Sequence, residues 1–101
     1  MSCCSHCEAT DAQFGPAAAR RDMDRYHRRG PDRTTALILE GIRAEGGPYA
    51  RLLDVGAGIG VLHHELLEST VEAATHVDAS TAYVAAAREE DARRGRESDV
   101  E

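Results

Sequence analysis

The sequence predicts an α/β fold in which helices are wound around a short parallel sheet. Residues 51–55, Arg-Leu-Leu-Asp-Val, form a short apolar run of the kind found in buried parallel strands. A glycine cluster at residues 56–60 follows directly, and residues 61–68 have the apolar spacing of a helix. A weaker strand pattern over residues 74–78 precedes a further helix that Ser80 can cap. Strand, glycine loop, helix, strand and helix make up one and a half turns of an α/β wind.

Two helices are predicted ahead of the first strand. Residues 16–29 favour a helix, with Pro16 in its first turn and Gly30 as its C-terminal cap. A second helix is predicted over residues 32–45, because large aliphatic residues repeat there at helical spacing and Gly-Gly-Pro follows. The chain therefore divides into a flexible, Cys-containing arm at residues 1–15, a helical N-terminal extension at 16–47, an α/β unit at 48–95 and a charged, frayed tail at 96–101.

Length and composition limit the number of domains and the partners that the chain can have. The chain has 101 residues, a formal net charge of −6, and twelve arginines but no lysine. Fifteen of its seventeen Leu, Ile, Val and Phe residues lie within residues 37–84, so a core-forming middle is flanked by polar ends. No apolar run is long enough for a membrane span, no signal peptide is recognisable, and the acidic balance argues against a nucleic-acid partner. We expect a cytoplasmic, single-domain protein without membrane or nucleic-acid contacts.

The glycine loop is the strongest functional signal in the chain. Glycines between a strand and a helix let the backbone turn sharply and approach a ligand closely. The spacing excludes two common nucleotide sites. The dinucleotide fingerprint requires glycine or alanine at its sixth position, where this chain has Val61, and a phosphate-binding P-loop requires a lysine. What remains is an acidic residue, Asp54, followed at alternate positions by Gly56, Gly58 and Gly60.

Residues 52–60, Leu-Leu-Asp-Val-Gly-Ala-Gly-Ile-Gly, resemble the first motif of the class I S-adenosylmethionine-dependent methyltransferases. The resemblance implies a Rossmann-like methyltransferase fold with S-adenosylmethionine as its small-molecule cofactor. It places Gly56, Gly58 and Gly60 under the methionine portion of that cofactor, with Asp54 helping to hold the amino group. The cofactor carries a sulfonium and an ammonium, so a carboxylate beside the loop is favourable here, whereas it would repel a pyrophosphate.

The second motif of the same family also has a counterpart. Asp78 ends the second predicted strand, 22 residues after Gly56, and an acidic residue about twenty residues on can accept both ribose hydroxyls. By resemblance, Asp78 takes this ribose role and Ala79 and Ser80 border the adenine. Ser80 is equally well explained as the N-cap of the following helix.

The resemblance reaches only the second strand and the helix after it, whereas the family's sheet has seven strands. We therefore expect a fold truncated after the second β-α unit, with an exposed sheet edge that favours self-association. The function implied is methyl transfer to an unidentified acceptor, and no catalytic residue is identified. The alternative is a truncated product, or a cofactor-binding fragment, without turnover.

Cysteine and histidine residues leave a third alternative, a metal-binding module. Cys3, Cys4, His6 and Cys7 have ligand chemistry, but no second Cys pair follows them, so a mobile arm with reduced thiols and no metal is the preferred interpretation. His63 and His64 are expected at exposed polar positions.

The N-terminal extension offers two further candidates for ligand contact. Such extensions cover the cofactor or the substrate in many class I methyltransferases, so Tyr26 and Thr34 are candidates for touching the ligand. The other interpretation is that their segment simply packs on the sheet.

Overall fold

The computed structural model describes residues 5–101, so Cys3 and Cys4, together with the side chains of His6 and Cys7, lie outside the described residues. Residues 5–101 form five helices, two strands and a short 3₁₀ turn. In chain order these elements are α1 (Ser5–Gln13), α2 (Pro16–Arg29), α3 (Arg33–Ala44), β1 (Tyr49–Val55), α4 (Val61–Leu66), β2 (Val71–Val77), α5 (Thr81–Arg93) and the 3₁₀ turn (Glu97–Asp99).

The two strands pair in parallel, as the predicted order of strand, helix and strand requires. Their register runs from Tyr49 opposite Val71 to Val55 opposite Val77, so both strands end at the same edge of the sheet. The glycine loop after β1 and Asp78 after β2 therefore lie side by side. Both strands begin earlier than their apolar runs do, because pairing, including the hydrogen bond from Tyr49 N–H to the Thr70 carbonyl, extends beyond the apolar residues.

The core lies between the sheet and helices α3 and α4. Its buried members are Leu39, Leu66, Leu67 and Val71, against which Ile42, Leu52, Leu62 and Val100 pack. Burying a side chain of this size contributes roughly 1.5–3 kcal/mol to the free energy of unfolding. A small aliphatic cluster of this kind holds the β1–α4–β2 unit together and fixes the glycine loop above it.

Both predicted helices of the N-terminal extension are present, and local signals fix their ends. Gly30 has a φ of 72°, and its N–H donates to the Tyr26 carbonyl, which closes α2 as the sequence predicts. Asp32 is the N-cap of α3 and accepts a hydrogen bond from the Thr35 N–H at 2.8 Å. These two caps define the turn that reverses the chain between α2 and α3.

The prediction of a frayed tail is wrong. Val100 forms a parallel bridge with Ala74, the Glu101 N–H donates to the Ala74 carbonyl, and the His76 N–H donates to the Glu101 carbonyl. The tail thus begins a third line of pairing on the side of β2 opposite β1. Its charged composition concealed this pairing, because main-chain groups rather than side chains make it.

The N-terminal segment also differs from a flexible arm in its described part, where α1 forms. Asp11 Oδ1 accepts hydrogen bonds from the main-chain N–H and the hydroxyl of Thr81 at 2.7 and 2.9 Å. The Phe14 ring lies 5.8 Å from the Tyr83 ring, measured between centroids. These contacts join the segment to the start of α5. None of the described helices is long and apolar enough to cross a lipid bilayer.

Candidate functional site

The glycine loop adopts a backbone that side chains disfavour. Gly56, Gly58 and Gly60 have φ angles of 70°, 60° and 87°, all in the left-handed region. A Cβ atom added at Gly60 would also overlap the ring of His63. The N–H groups of Gly56 and Ala57 donate to the Val77 carbonyl, so the loop is held by the end of β2.

An open cavity of about 410 Å³ borders this loop, within the size range of small-molecule sites. It lies between the loop and the N-terminal extension, so residues from both parts of the chain face it. Its lining comprises Asp22, Arg25, Tyr26, Gly30, Pro31, Asp32, Thr35, Asp54, Gly56, Ala57, Gly58, Ile59, Val61, Leu62 and Tyr83. A larger cavity, of about 610 Å³, lies between α2 and α5 and includes no residue of the glycine loop.

Asp54 lines the cavity and also carries a buried, unsatisfied acceptor. Its Oδ2 atom is buried and has no hydrogen-bond partner in the described part of the chain. Burial raises the pKa of Asp54 above its ordinary value of 3.8, an effect that the nearby His63 and His76 oppose and Asp78 reinforces. A buried carboxylate oxygen without a donor is costly unless a cationic or N–H group reaches it. The residue is therefore suited to a positively charged ligand.

Asp78 lies next to the loop but does not line the cavity. Its Oδ2 accepts from the Gly58 N–H at 2.8 Å, and its Oδ1 accepts from the Ser80 N–H at 2.8 Å. The carboxylate thus joins the glycine loop to the start of α5, while each oxygen keeps a further lone pair. Ala79, between Asp78 and Ser80, is exposed at the same edge of the sheet.

Of the two interpretations of Ser80, the structure shows the N-cap. Its hydroxyl oxygen accepts from the Tyr83 N–H at 3.1 Å and its O–H donates to the Phe14 carbonyl. The side chain is fully buried by these partners.

The N-terminal extension borders the cavity and also packs on the rest of the chain. Tyr26 lines the cavity and also contacts α4, where its hydroxyl donates to Glu65 Oε2 at 2.8 Å. Burial and this hydrogen bond raise the pKa of Tyr26. Thr35, one residue beyond the predicted Thr34, is the threonine that borders the cavity.

Two further side chains fix α2 over the site. The Tyr83 hydroxyl donates to Asp22 Oδ2 at 2.6 Å, and burial together with this contact raises the pKa of Tyr83 to about 12. His27 Nε2 lies 2.9 Å from Glu90 Oε1. Glu90 also accepts from Arg93 and Arg94, and these hydrogen bonds outweigh its burial and hold its pKa well below the usual range. The extension is thus joined to α5 by polar contacts.

The prediction that His63 and His64 are exposed is wrong, because both side chains are buried. His64 Nε2 lies 2.8 Å from the Ile59 carbonyl oxygen, and His63 Nε2 lies 2.7 Å from Asp91 Oδ1. His76 Nε2 contacts the Gly58 carbonyl at 2.8 Å. The rings of His76 and His64 thus contact the carbonyls of two successive loop residues, Gly58 and Ile59. Burial opposes ionisation of Asp91, but His63 and His64 outweigh it and hold the pKa of Asp91 at about 2. No local sequence pattern predicts the contact of His63 with Asp91, because Asp91 lies 28 residues further along the chain.

Comparison with known proteins identifies the family. The family model of the methyltransferase small domain matches residues 20–100, which include both caps of the extension, the glycine loop and the whole sheet. No curated protein and no solved structure matches the chain. The match covers more than half of the chain and agrees with the strand, glycine loop and helix described above. The chain belongs to the methyltransferase small-domain family.

Proposed function

We propose that the cavity beside the glycine loop binds S-adenosylmethionine and that the chain acts as the cofactor-binding unit of a methyltransferase. The methyl acceptor is unidentified. Asp54 carries the proposal, because this acidic residue lines the cavity beside a loop of three left-handed glycines. Such a site supports a ligand that is cationic where it meets the carboxylate and closely packed where it meets the backbone.

Charge favours this ligand over a nucleotide phosphate. Asp54 and Asp78 stand on either side of the loop, and the whole chain has a net charge of −6. The chain has no lysine to pair with a pyrophosphate at the loop. An ammonium or sulfonium would gain favourable electrostatic energy where a phosphate would be repelled.

Each residue of the site then has a definite part in binding. Asp54 would accept the ammonium, and Gly56 and Gly58 would let the backbone lie close to the methionine portion. Gly60 supports the site from behind by leaving room for His63. Asp78 and Ala79 lie outside the cavity lining, so the ribose and adenine would extend past the loop, where the remaining lone pairs of Asp78 would accept the ribose hydroxyls. The bound cofactor supplies the methyl group, and the chain orients it and shields it from water under α2.

Isothermal titration calorimetry with S-adenosylhomocysteine tests this site. Asp54→Asn should weaken binding by about 10- to 100-fold, because a charge-assisted hydrogen bond contributes roughly 1.5–3 kcal/mol. Glu72→Gln is the matched control, since Glu72 is an exposed acid on β2. Equal binding by Asp54→Asn and the unmutated chain, or tighter binding of NAD than of the homocysteine compound, would contradict the proposal.

The non-catalytic alternative makes the same binding prediction but differs in turnover. Incubation with S-adenosylmethionine and a panel of acceptors should release S-adenosylhomocysteine if the chain is a complete catalyst. Binding without release across the panel would favour a cofactor-binding fragment. Absence of both would favour a truncated product without ligand.

A further inference from the structure

Beneath the glycine loop lies a buried group of potential metal ligands, His63, His64 and Asp91, called here the histidine–aspartate cluster. Their relative exposures are 0%, 2% and 2%. One ligand atom from each residue lies within 4.8 Å of the others. The cluster joins α4 to α5 and is separate from the cavity, whose lining contains none of the three residues.

The environment of His64 fixes which of its nitrogens carries hydrogen. Its Nε2 lies 2.8 Å from the Ile59 carbonyl, which can only accept, so this nitrogen is the donor. In the neutral ring, Nδ1 therefore carries the lone pair. That Nδ1 lies 3.2 Å from Asp91 Oδ1, a carboxylate oxygen. Two electron-rich atoms thus face each other in a buried place, which is unfavourable unless a cation lies between or beside them.

His63 meets the same carboxylate through Nε2, and its unsatisfied nitrogen is the other one, Nδ1. Its Nε2 lies 2.7 Å from Asp91 Oδ1. Its Nδ1 is buried and has no hydrogen-bond partner in the described part of the chain, and the same is true of His64 Nδ1. Two buried imidazoles with orphan nitrogens around one carboxylate are uncommon, because buried polar atoms are nearly always paired.

A proton on His64 would remove only part of this cost. The contact between His64 Nδ1 and Asp91 Oδ1 lacks the alignment of a hydrogen bond despite its length of 3.2 Å. A metal ion requires no such alignment, since neighbouring ligands of one ion meet at an angle. A ligating histidine also typically donates its other N–H to a carbonyl, as His64 does to Ile59.

We propose that His63, His64 and Asp91 bind one divalent transition-metal ion of the zinc type beneath the glycine loop. Two imidazoles and one carboxylate are a ligand set that suits Zn²⁺ and its substitute Co²⁺. Bonds of about 2.0–2.2 Å in a tetrahedral site separate neighbouring ligand atoms by roughly 3.3 Å. The 3.2 Å contact of His64 already matches this spacing, and the 2.7 Å contact of His63 would open by about half an ångström.

The ion would crosslink α4 and α5 directly under the residues that shape the cavity. Because His64 contacts Ile59 and His63 lies against Gly60, occupancy would rigidify the glycine loop. The metal site is independent of the cofactor, and ion binding can be measured without it.

Titration of the metal-free chain with Co²⁺ and Zn²⁺ tests the site, provided the N-terminal thiols are removed as competitors. In a Cys3→Ser, Cys4→Ser, Cys7→Ser background we expect one Co²⁺ per chain, a visible spectrum free of thiolate bands, and a higher melting temperature with Zn²⁺. Asp91→Asn and His64→Gln should each lose at least 10-fold in affinity. His27→Gln, which removes a half-exposed histidine outside the cluster, should bind as the background does. Loss of all binding on removal of the thiols would overturn the proposal.

A measurement that leaves His63, His64 and Asp91 intact guards against variants that fail to fold. In the background without the N-terminal cysteines, two-dimensional NMR of the imidazole nitrogens should show His63 and His64 shifting on addition of Zn²⁺ and neither on addition of Mg²⁺. A spectrum in which His64 has two protonated nitrogens and does not respond to Zn²⁺ would assign the cluster to a bound proton and refute the metal site.

Discussion

At the scale of single residues, two glycines of this chain illustrate opposite uses of the same residue. Gly60 has a φ of 87° and leaves no room for a Cβ beside His63. Gly41 lies on an exposed position inside α3, where a Cβ would meet nothing within 4 Å. The first is required by backbone conformation and by packing, whereas the second only weakens its helix.

Substitution of these glycines by alanine should therefore change stability in opposite directions. Gly60→Ala should lower the free energy of unfolding by about 2 kcal/mol or more, because it adds left-handed strain and a steric overlap. Gly41→Ala should raise it by roughly 0.5–1 kcal/mol, since alanine loses less conformational entropy in a helix. Urea unfolding followed by circular dichroism measures both. A Gly60→Ala chain as stable as the unmutated one would show that the loop does not adopt this backbone.

At the scale of elements, the N-terminal end of α3 is capped by the side chain of one residue, Asp32. Asp32 caps α3 from an exposed position, and the hydrogen bonds from Thr35 lower the pKa of Asp32 below its ordinary value of 3.8. Because the folded state prefers the charged form, the contribution of the cap is complete above that ordinary pKa. It decreases as the pH falls through the lower pKa of the folded chain.

Asp32→Ala should lower the free energy of unfolding by about 1 kcal/mol at neutral pH. The difference from the unmutated chain should shrink below pH of about 4, although the neutral carboxyl can still accept a hydrogen bond. Asp32→Asn caps without titrating, so its stability relative to alanine should not change over the same range. Urea unfolding at several pH values provides the measurement, and a difference that stays constant down to low pH would count against the charged cap.

The elements of this fold were predictable where their signals are local. The ends of α2 and α3, the strand before the loop and the glycine loop itself follow from neighbouring residues. The burial of His63 and His64 was not predictable, because their partner Asp91 is brought to them only by the packing of α5. The pairing of the tail with β2 was hidden for a similar reason, since main-chain hydrogen bonds leave no pattern in a charged sequence.

The candidate site follows the same division. Asp54, Gly56 and Gly58 were predicted from the motif, and all three line the cavity. The contribution of Thr35 in place of Thr34 depends on the direction in which α3 leaves its cap, which spacing alone does not specify. The role of Asp78 in holding Gly58 depends on the adjacent ends of two strands, which is a property of the sheet and not of either strand.

At the scale of the whole molecule, the sheet is covered unevenly. Within residues 5–101, β1 pairs on one side only, and its Leu53 and Val55 side chains are 65% and 70% exposed. Val77, which pairs with Val55, is also exposed. Unpaired strands with exposed apolar side chains tend to pair with other chains.

We propose that this edge of β1 associates with a second copy of the chain. Leu53→Lys with Val55→Lys should shift the chain toward the monomer, because edge lysines oppose strand pairing. Sedimentation velocity at increasing protein concentration measures the shift. The control is Leu37→Lys, which changes an exposed leucine on α3. An unmutated chain that stays monomeric, or an oligomer that dissociates only in the α3 variant, would refute association through β1.

The position of the tyrosines has a practical consequence for following the site. The chain has three tyrosines and no tryptophan, and Tyr26 and Tyr83 both line the cavity beside the loop. Ultraviolet emission is therefore dominated by the phenol rings, and two of the three border the cavity. A compound entering the cavity would change the surroundings of both rings at once. The molecule thus carries an intrinsic optical probe of its own cavity, and ligand entry can be monitored without a label.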